Sequence, residues 1–157
     1  MPDETLLGFD FGIKRIGVAI GTWADGGRVH TARPLTTIAA EDNATRFAAI
    51  DKLIAHWQAT RLVVGEPCHM DGTEHELTAR CGRFANQLRG RFKLPVERVD
   101  ERLSSVEAES TLDASRSVST GRQKAGEQYK QQLDAEAARV ILERWMAQQI
   151  HSPTPTS

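Results

Sequence analysis

Cysteine is scarce in this chain, which holds only Cys68 and Cys81 and no CxxC pair. That excludes a disulfide-stapled secreted scaffold and points to the reducing cytoplasm. Cys68, His69, His75 and Cys81 are zinc-ligand residue types, but their spacing matches no standard finger. A buried Cys81 and solvated histidines are the expected state. Net charge is nearly absent, at −1, so any nucleic-acid contact must come from a local basic patch. No apolar run approaches a membrane span, and the acidic start Met1-Pro2-Asp3-Glu4 has no apolar signal-peptide core. The Walker phosphate loop GxxxxGK[ST] is missing too. With 26% charged and 39% apolar residues among 157, the chain can build one soluble domain with one core. The expected organisation is a single domain over 1–150 and a disordered Ser/Thr/Pro tail over 151–157.

Hydrophobic periodicity gives the order β-β-β-α-β-α-β-α-α. Residues 5–10 and 16–21 read as strands, and in the second Ile16, Val18 and Ile20 alternate with Gly17, Ala19 and Gly21. One face is bulky and the other nearly bare, so a backbone, helix or ligand can come close there. A third strand is predicted within 28–33 after the turn signal Asp25-Gly26-Gly27. Phe47, Ile50, Leu53, Ile54 and Trp57 then recur at helical spacing behind Asp42 or Asn43 as cap. Leu62 to Gly65 is the apolar run of a strand buried on both faces.

Thr73 and Glu76 form a capping box before a second helix with Leu77, Cys81, Phe84, Ala85, Leu88 and Phe92 on one face. Pro95 to Val99 is a short strand, and Ser104 with Glu107 opens a short helix towards Leu112. The last helix is predicted over 130–149, with Leu133, Ala137, Val140, Ile141 and Trp145 on its apolar face. Residues 114–126 are small, polar and basic and read as a mobile loop. A meander followed by crossovers implies an α/β fold: a five-stranded mixed sheet, three antiparallel strands plus two parallel ones, with helices on both faces.

Asp10 sits between two phenylalanines at the end of the first strand, where an ionised carboxylate is costly unless paired. Asp100 and Glu101 follow the strand at Pro95–Val99. Asp134 shares a helix face with Ala138 and Ile141 and so borders the apolar stripe. Ligand sites of open α/β sheets form beyond the carboxyl ends of parallel strands. Carboxylates converging there repel, and hard divalent cations such as Mg²⁺ remove the repulsion. Two such ions can activate a water and stabilise the leaving oxygen in phosphodiester hydrolysis. Taken singly the acids have other readings: Asp10 can pair with Lys14 or Arg15, Asp100-Glu101-Arg102 can be a solvated turn, and Asp134 can be a dipole-favoured first-turn charge.

Basic residues suit a phosphate partner. Lys14 and Arg15 flank Asp10, while Arg116, Arg122, Lys124 and Lys130 lie in or near the polar loop before Asp134. Arg80, Arg83, Arg89, Arg91 and Lys93, on or after the second helix, read more simply as its solvated face.

The segments GFDFGIKRIGVAI, LVVGEPCHMDG, VERVDERLSSVEAE and DAEAA, in this order, resemble the YqgF/RuvX family over about residues 5–147. The resemblance implies a ribonuclease H-like fold and a nuclease described either as a Holliday junction resolvase or as a maturase of the pre-16S rRNA end. It implies Mg²⁺ or Mn²⁺ held by Asp10, Glu101 and Asp134 in a two-metal-ion site, with Asp100 the alternative to Glu101. Lys14, Arg15, Lys124 and Lys130 would hold the nucleic-acid backbone. Arg102 would do the same or orient the carboxylates. Glu66 departs from the family, which more often carries an apolar or basic residue there; it is either an extra ligand or a surface substitution.

The leading expectation is therefore a cytoplasmic, metal-dependent endonuclease acting on structured RNA, with pre-16S rRNA, ribosome-bound or not, as substrate. A resolvase acting on branched DNA and a catalytically silent RNA-binding assembly factor are the alternatives. An actin-like ATPase would need a second, duplicated domain that 157 residues cannot supply. RNA against DNA, the physiological metal and the oligomeric state are not legible in the sequence.

Overall fold

The computed structural model describes residues 3–12, 14–66, 75–100 and 126–151, with the side chains of 66, 75–77, 100, 126–130 and 151 left aside. The elements are β1 (Glu4–Phe11), β2 (Ile16–Ala24), β3 (Val29–Ile38), α1 (Asn43–Trp57), β4 (Arg61–Glu66), α2 (His75–Phe92), β5 (Val96–Asp100) and α3 (Gly126–His151). The strands form one sheet in the order β3-β2-β1-β4-β5. Pairing is antiparallel between β1 and β2 and between β2 and β3, and parallel between β1 and β4 and between β4 and β5. This is the mixed sheet implied by the sequence. Among the described residues no helix is long and apolar enough to cross a membrane.

Strand alternation divides the core. Leu7, Phe9 and Phe11 of β1 and Ile16, Val18 and Ile20 of β2 face α1 and α2, meeting Phe47, Ile50, Phe84 and Leu88. Phe84 is the hub of that layer, with ring centroids 4.9 Å from Phe11, 5.9 Å from Phe47 and 6.0 Å from Phe9. Cys81 is buried in the same layer, with its Sγ 3.4 Å from the Gly65 carbonyl. On the other face Leu6, Ala19, Trp23, Val63 and Val99 meet Ala138, Ile141, Leu142, Trp145 and Met146 of α3. The bare side of β2 is thus the seat of a helix.

Three features differ from the sequence reading. β3 runs to Ile38, well beyond 33, through Pro34. An edge strand can hold proline because its outer amides need no ladder partner, and the register shift opposite Val18/Ala19 absorbs one residue there. α3 begins at Gly126, so it extends into a stretch whose polar composition reads as loop. Its buried residues form two stripes: Ala137 and Val140 with Leu133 make a cluster apart from the one that meets the sheet. The capping residue Thr73, the short helix at 104–112, the loop at 114–125, Cys68, His69 and the tail at 152–157 lie outside the described residues.

Two polar devices frame the fold. At the amino end of the parallel strands, Arg61 donates to Glu4 (2.9 and 3.1 Å) and to Glu97 (2.6 Å), tying β1, β4 and β5. Asp42 caps α1, accepting from the Thr45 amide at 2.9 Å. That hydrogen bond holds the Asp42 carboxyl below its ordinary pKa. A lowered folded pKa means the cap's contribution is complete above the ordinary value and is lost as pH falls through the lowered one. Asp42→Ala is therefore expected to lower Tm at neutral pH, and the gap to wild type should close on acidification below the ordinary aspartate range. A gap independent of pH would show that the carboxylate is not the cap.

Candidate active site

The site is built at the carboxyl end of β1. In register, one row crosses the sheet through Thr37, Gly17, Asp10, Gly65 and Val99. Because β1, β4 and β5 run parallel, Asp10, Glu66 and Asp100 all lie at the end where ligands collect in such sheets. Alternation sets the direction of Asp10. Gly8 and Leu6, two and four residues earlier, pack on α3, so Asp10 belongs to that face and Phe11 to the other.

Asp134 is delivered to the same place by α3. Gly17, directly opposite Asp10, has no Cβ, and the helix backbone fills that space. A Cβ at Gly17 would lie 2.0 Å from the Asp134 carbonyl oxygen and 2.3 Å from its carbon. One turn earlier, Thr37 Oγ1 donates to the Gln131 carbonyl at 2.7 Å, pinning the helix to β3. The acids from β1 and α3 therefore come to one sheet face across a single glycine.

The Asp134 carboxylate is paired. Arg15 Nε donates to its Oδ2 at 2.5 Å, with the two side chains 26% and 19% exposed. The guanidinium predicted as a partner for Asp10 thus reaches Asp134 from the β1–β2 connection. Lys14 beside it is exposed. Lys130 is on α3, one turn before Asp134, with its side chain outside the described atoms. Glu101, Arg102, Arg116, Arg122 and Lys124 lie outside the described residues, and of Glu66 and Asp100 only the backbone position is described. Among the described residues no three His, Cys, Asp or Glu side chains form a metal-holding group. The two acids brought together are hard oxygen donors of the type Mg²⁺ and Mn²⁺ take, and the glycine cradle at position 17 sets their approach.

Arg46 was not singled out by the sequence. It is a charged residue at 3% exposure, yet it lies beside Phe47 on α1 with no periodic signal to mark it. Its Nε donates to the Ala40 carbonyl at 2.5 Å and its Nη2 to the Gly12 carbonyl at 2.7 Å. Its Cζ lies 5.5 Å from the centroid of the Phe11 ring. Arg46 thereby fastens the start of the connection that carries Lys14 and Arg15. Burial pushes its pKa down, while Glu41 and Asp42 push it up.

The RuvX family model, described as Holliday junction resolvase, matches residues 4–148. A protein of Burkholderia ambifaria (strain MC40-6) named "Putative pre-16S rRNA nuclease" is 52% identical over 146 residues, covering 93% of this chain and 91% of its own. One of the same name from Dechloromonas aromatica (strain RCB) is 49% identical over 147 residues, covering 94% and 93%. Among solved structures, T. thermophilus RuvC in complex with a Holliday junction substrate aligns with a TM-score of 0.54 at 14% identity, covering 92% of this chain and 96% of that one. The yeast mitochondrial Holliday junction resolvase Ydc2 aligns with a TM-score of 0.55 at 13% identity, covering 96% and 82%. At such identities the likeness is one of fold, and the fold is ribonuclease H-like. The match to the family model over nearly the whole chain, with relatives about half identical to it, shows that this chain belongs to the RuvX family.

Proposed function

We propose that this protein is a metal-dependent endonuclease that hydrolyses phosphodiester bonds in structured RNA, processing the end of pre-16S rRNA during ribosome biogenesis. The observation that carries the proposal is the approach of Asp134 to Asp10 across Gly17 at the carboxyl end of β1. The names of the half-identical relatives support RNA as substrate. Asp10 and Asp134, with Glu101 or Asp100, would hold Mg²⁺ or Mn²⁺, and Glu66 is a candidate further ligand. Ions bound there would supply Lewis-acid stabilisation of charge on the attacking and leaving oxygens.

The chain's own groups have separate tasks. Asp10 and Asp134 would supply carboxylate oxygens to a divalent cation, which would offset the repulsion of acids placed on one sheet face. Lys14 and Arg15, with Arg102, Arg116, Arg122, Lys124 and Lys130, would position the RNA backbone through its phosphates. Arg15 has two claims on it, because it already pairs with Asp134. Arg15→Gln is therefore expected to tighten Mn²⁺ binding by up to about fivefold, the equivalent of a partly exposed ion pair, while weakening RNA binding. Calorimetric Mn²⁺ titration of the two proteins checks this, and equal affinities would show that the pair does not compete with the metal.

The description of the family as resolvases gives a second reading, cleavage of branched DNA. One assay separates the two. Wild-type protein is incubated with a pre-16S rRNA fragment, a DNA four-way junction and ATP, each with Mg²⁺, with Mn²⁺ and with chelator. The expected result is metal-dependent cleavage of the RNA. Cleavage of the junction alone selects the resolvase, and RNA binding without cleavage of either substrate selects a silent assembly factor.

A further inference from the structure

On the opposite side of the sheet end from the acid pair, a cavity of about 270 Å³ opens between α1 and α2. Phe11, one residue beyond Asp10, forms part of its wall, with Phe84 beside it. Three guanidinium groups line it, from Arg46, Arg80 and Arg83. Resting on deeper structure, Arg46 is the fixed one: it is almost wholly buried and held by the Ala40 and Gly12 carbonyls. Arg80 and Arg83 stand three apart on α2, so their exposed side chains share one helix face. Among the described lining residues one is acidic, Glu41, and two are neutral amides, Asn43 and Gln87; Glu41 and Asp42 both act on the Arg46 charge. The amino end of α1 adds little, since Asp42 already takes the Thr45 amide there.

A concave surface lined by several arginines focuses a positive field and draws anions to it. Guanidinium forks match phosphate oxygens bidentately. A cavity this size has room for a phosphate and part of its sugar, and it falls short of the usual range for an enclosed small-molecule site of about 300–1,000 Å³. Successive residues of β1 point to opposite faces: Asp10 serves the α3 side and Phe11 the cavity. A strand drawn over the carboxyl edge of the sheet would therefore meet the acid pair and the arginine pocket in succession.

We propose that the pocket between α1 and α2 binds a backbone phosphate of the nucleic-acid strand, with Arg80 and Arg83 as its gripping residues and Arg46 as its buried floor. The proposal rests on the nuclease reading for its ligand, but binding can be measured apart from cleavage. Arg80 and Arg83 are exposed helical residues, so alanine at both leaves the fold intact, as circular dichroism will verify.

The experiment measures fluorescence anisotropy of a labelled RNA hairpin with a single-stranded extension, in chelator, across a salt series. Arg80→Ala/Arg83→Ala is expected to weaken binding about tenfold near physiological salt and to reduce the slope of log K against log salt by about 1. With metal restored, KM should rise and kcat at saturating RNA should stay as in wild type. The control Arg28→Gln/Lys52→Gln removes the same charge from exposed positions elsewhere and should change the slope far less. Three results would overturn the proposal: an unchanged slope in the pocket variant, an equal change in the control, or pocket-dependent binding of inorganic phosphate alone with RNA affinity unaltered. If wild type cleaves nothing yet the pocket variant still loses RNA affinity, the phosphate site stands and the nuclease reading falls.

Discussion

Replacing Asp10 or Asp134 with asparagine is expected to lower metal-dependent RNA cleavage by at least about 10³-fold, because in the proposed site the two would hold the metal as a unit and fail together. The substitutions preserve side-chain shape and remove the negative charge. Asp10 lies on the α3 face of β1, opposite Gly17, and Asp134 sits over that glycine. Losing either carboxylate would remove an oxygen donor from the proposed metal site, where affinity for a hard cation depends on donor charge.

The two variants should part company in stability. Asp134→Asn also removes the negative charge of the Arg15 ion pair and should cost up to about 1 kcal/mol, the range for a partly exposed pair. Double-mutant comparison with Arg15→Gln isolates that share. RNA binding in chelator should persist in both variants, because in the proposed reading the backbone contacts would come from basic residues. Cleavage that survives Asp10→Asn with unchanged metal dependence would dismiss the assigned mechanism.

Particular residues show why so much of this architecture was legible in the sequence. The alternation of Ile16, Val18 and Ile20 with Gly17, Ala19 and Gly21 records a sheet with side chains packed on one face and a helix backbone pressed on the other. Period-two patterning survives because every residue of β2 from 16 to 21 is buried. β3 is an edge strand with mostly exposed residues, so its second half carries no such pattern, and Pro34 reads as a stop although an edge tolerates it.

The place of Asp10 at the carboxyl end of a strand and of Asp134 beside the apolar stripe of its helix follow from strand order and helix phase. The burial of Arg46 does not. A guanidinium buried against carbonyls and an aromatic ring depends on where the chain returns after β3, and no local periodicity encodes that. The pairing of Arg15 with Asp134, 119 residues apart, escaped for the same reason.

Gly17→Ala should do more structural damage than a methyl added at Gly8 or Gly21. The new Cβ would meet main-chain atoms: the Asp134 carbonyl oxygen at 2.0 Å, its carbon at 2.3 Å and the Ala135 nitrogen at 2.9 Å. No rotamer change relieves such a clash, so α3 must lift from β2 and loosen the packing of Ala138, Ile141 and Leu142 behind it. A loss of about 3 kcal/mol is expected, visible as a lower urea midpoint at unchanged m-value. Gly21→Ala is the comparison. Its Cβ meets the Met146 Cε at 2.8 Å, the far end of a flexible side chain, and the Leu142 Cδ1 and the Thr31 carbonyl oxygen only at 3.1 Å, and should cost about 1 kcal/mol. Under conditions where Gly17→Ala remains folded, cleavage should fall by a further factor of about 10², since displacing Asp134 from Asp10 by even an ångström spoils the shared site. A Gly17→Ala protein as stable and as active as wild type would mean that α3 does not rest on β2 at this point, and the meeting of the two aspartates would lose its structural basis.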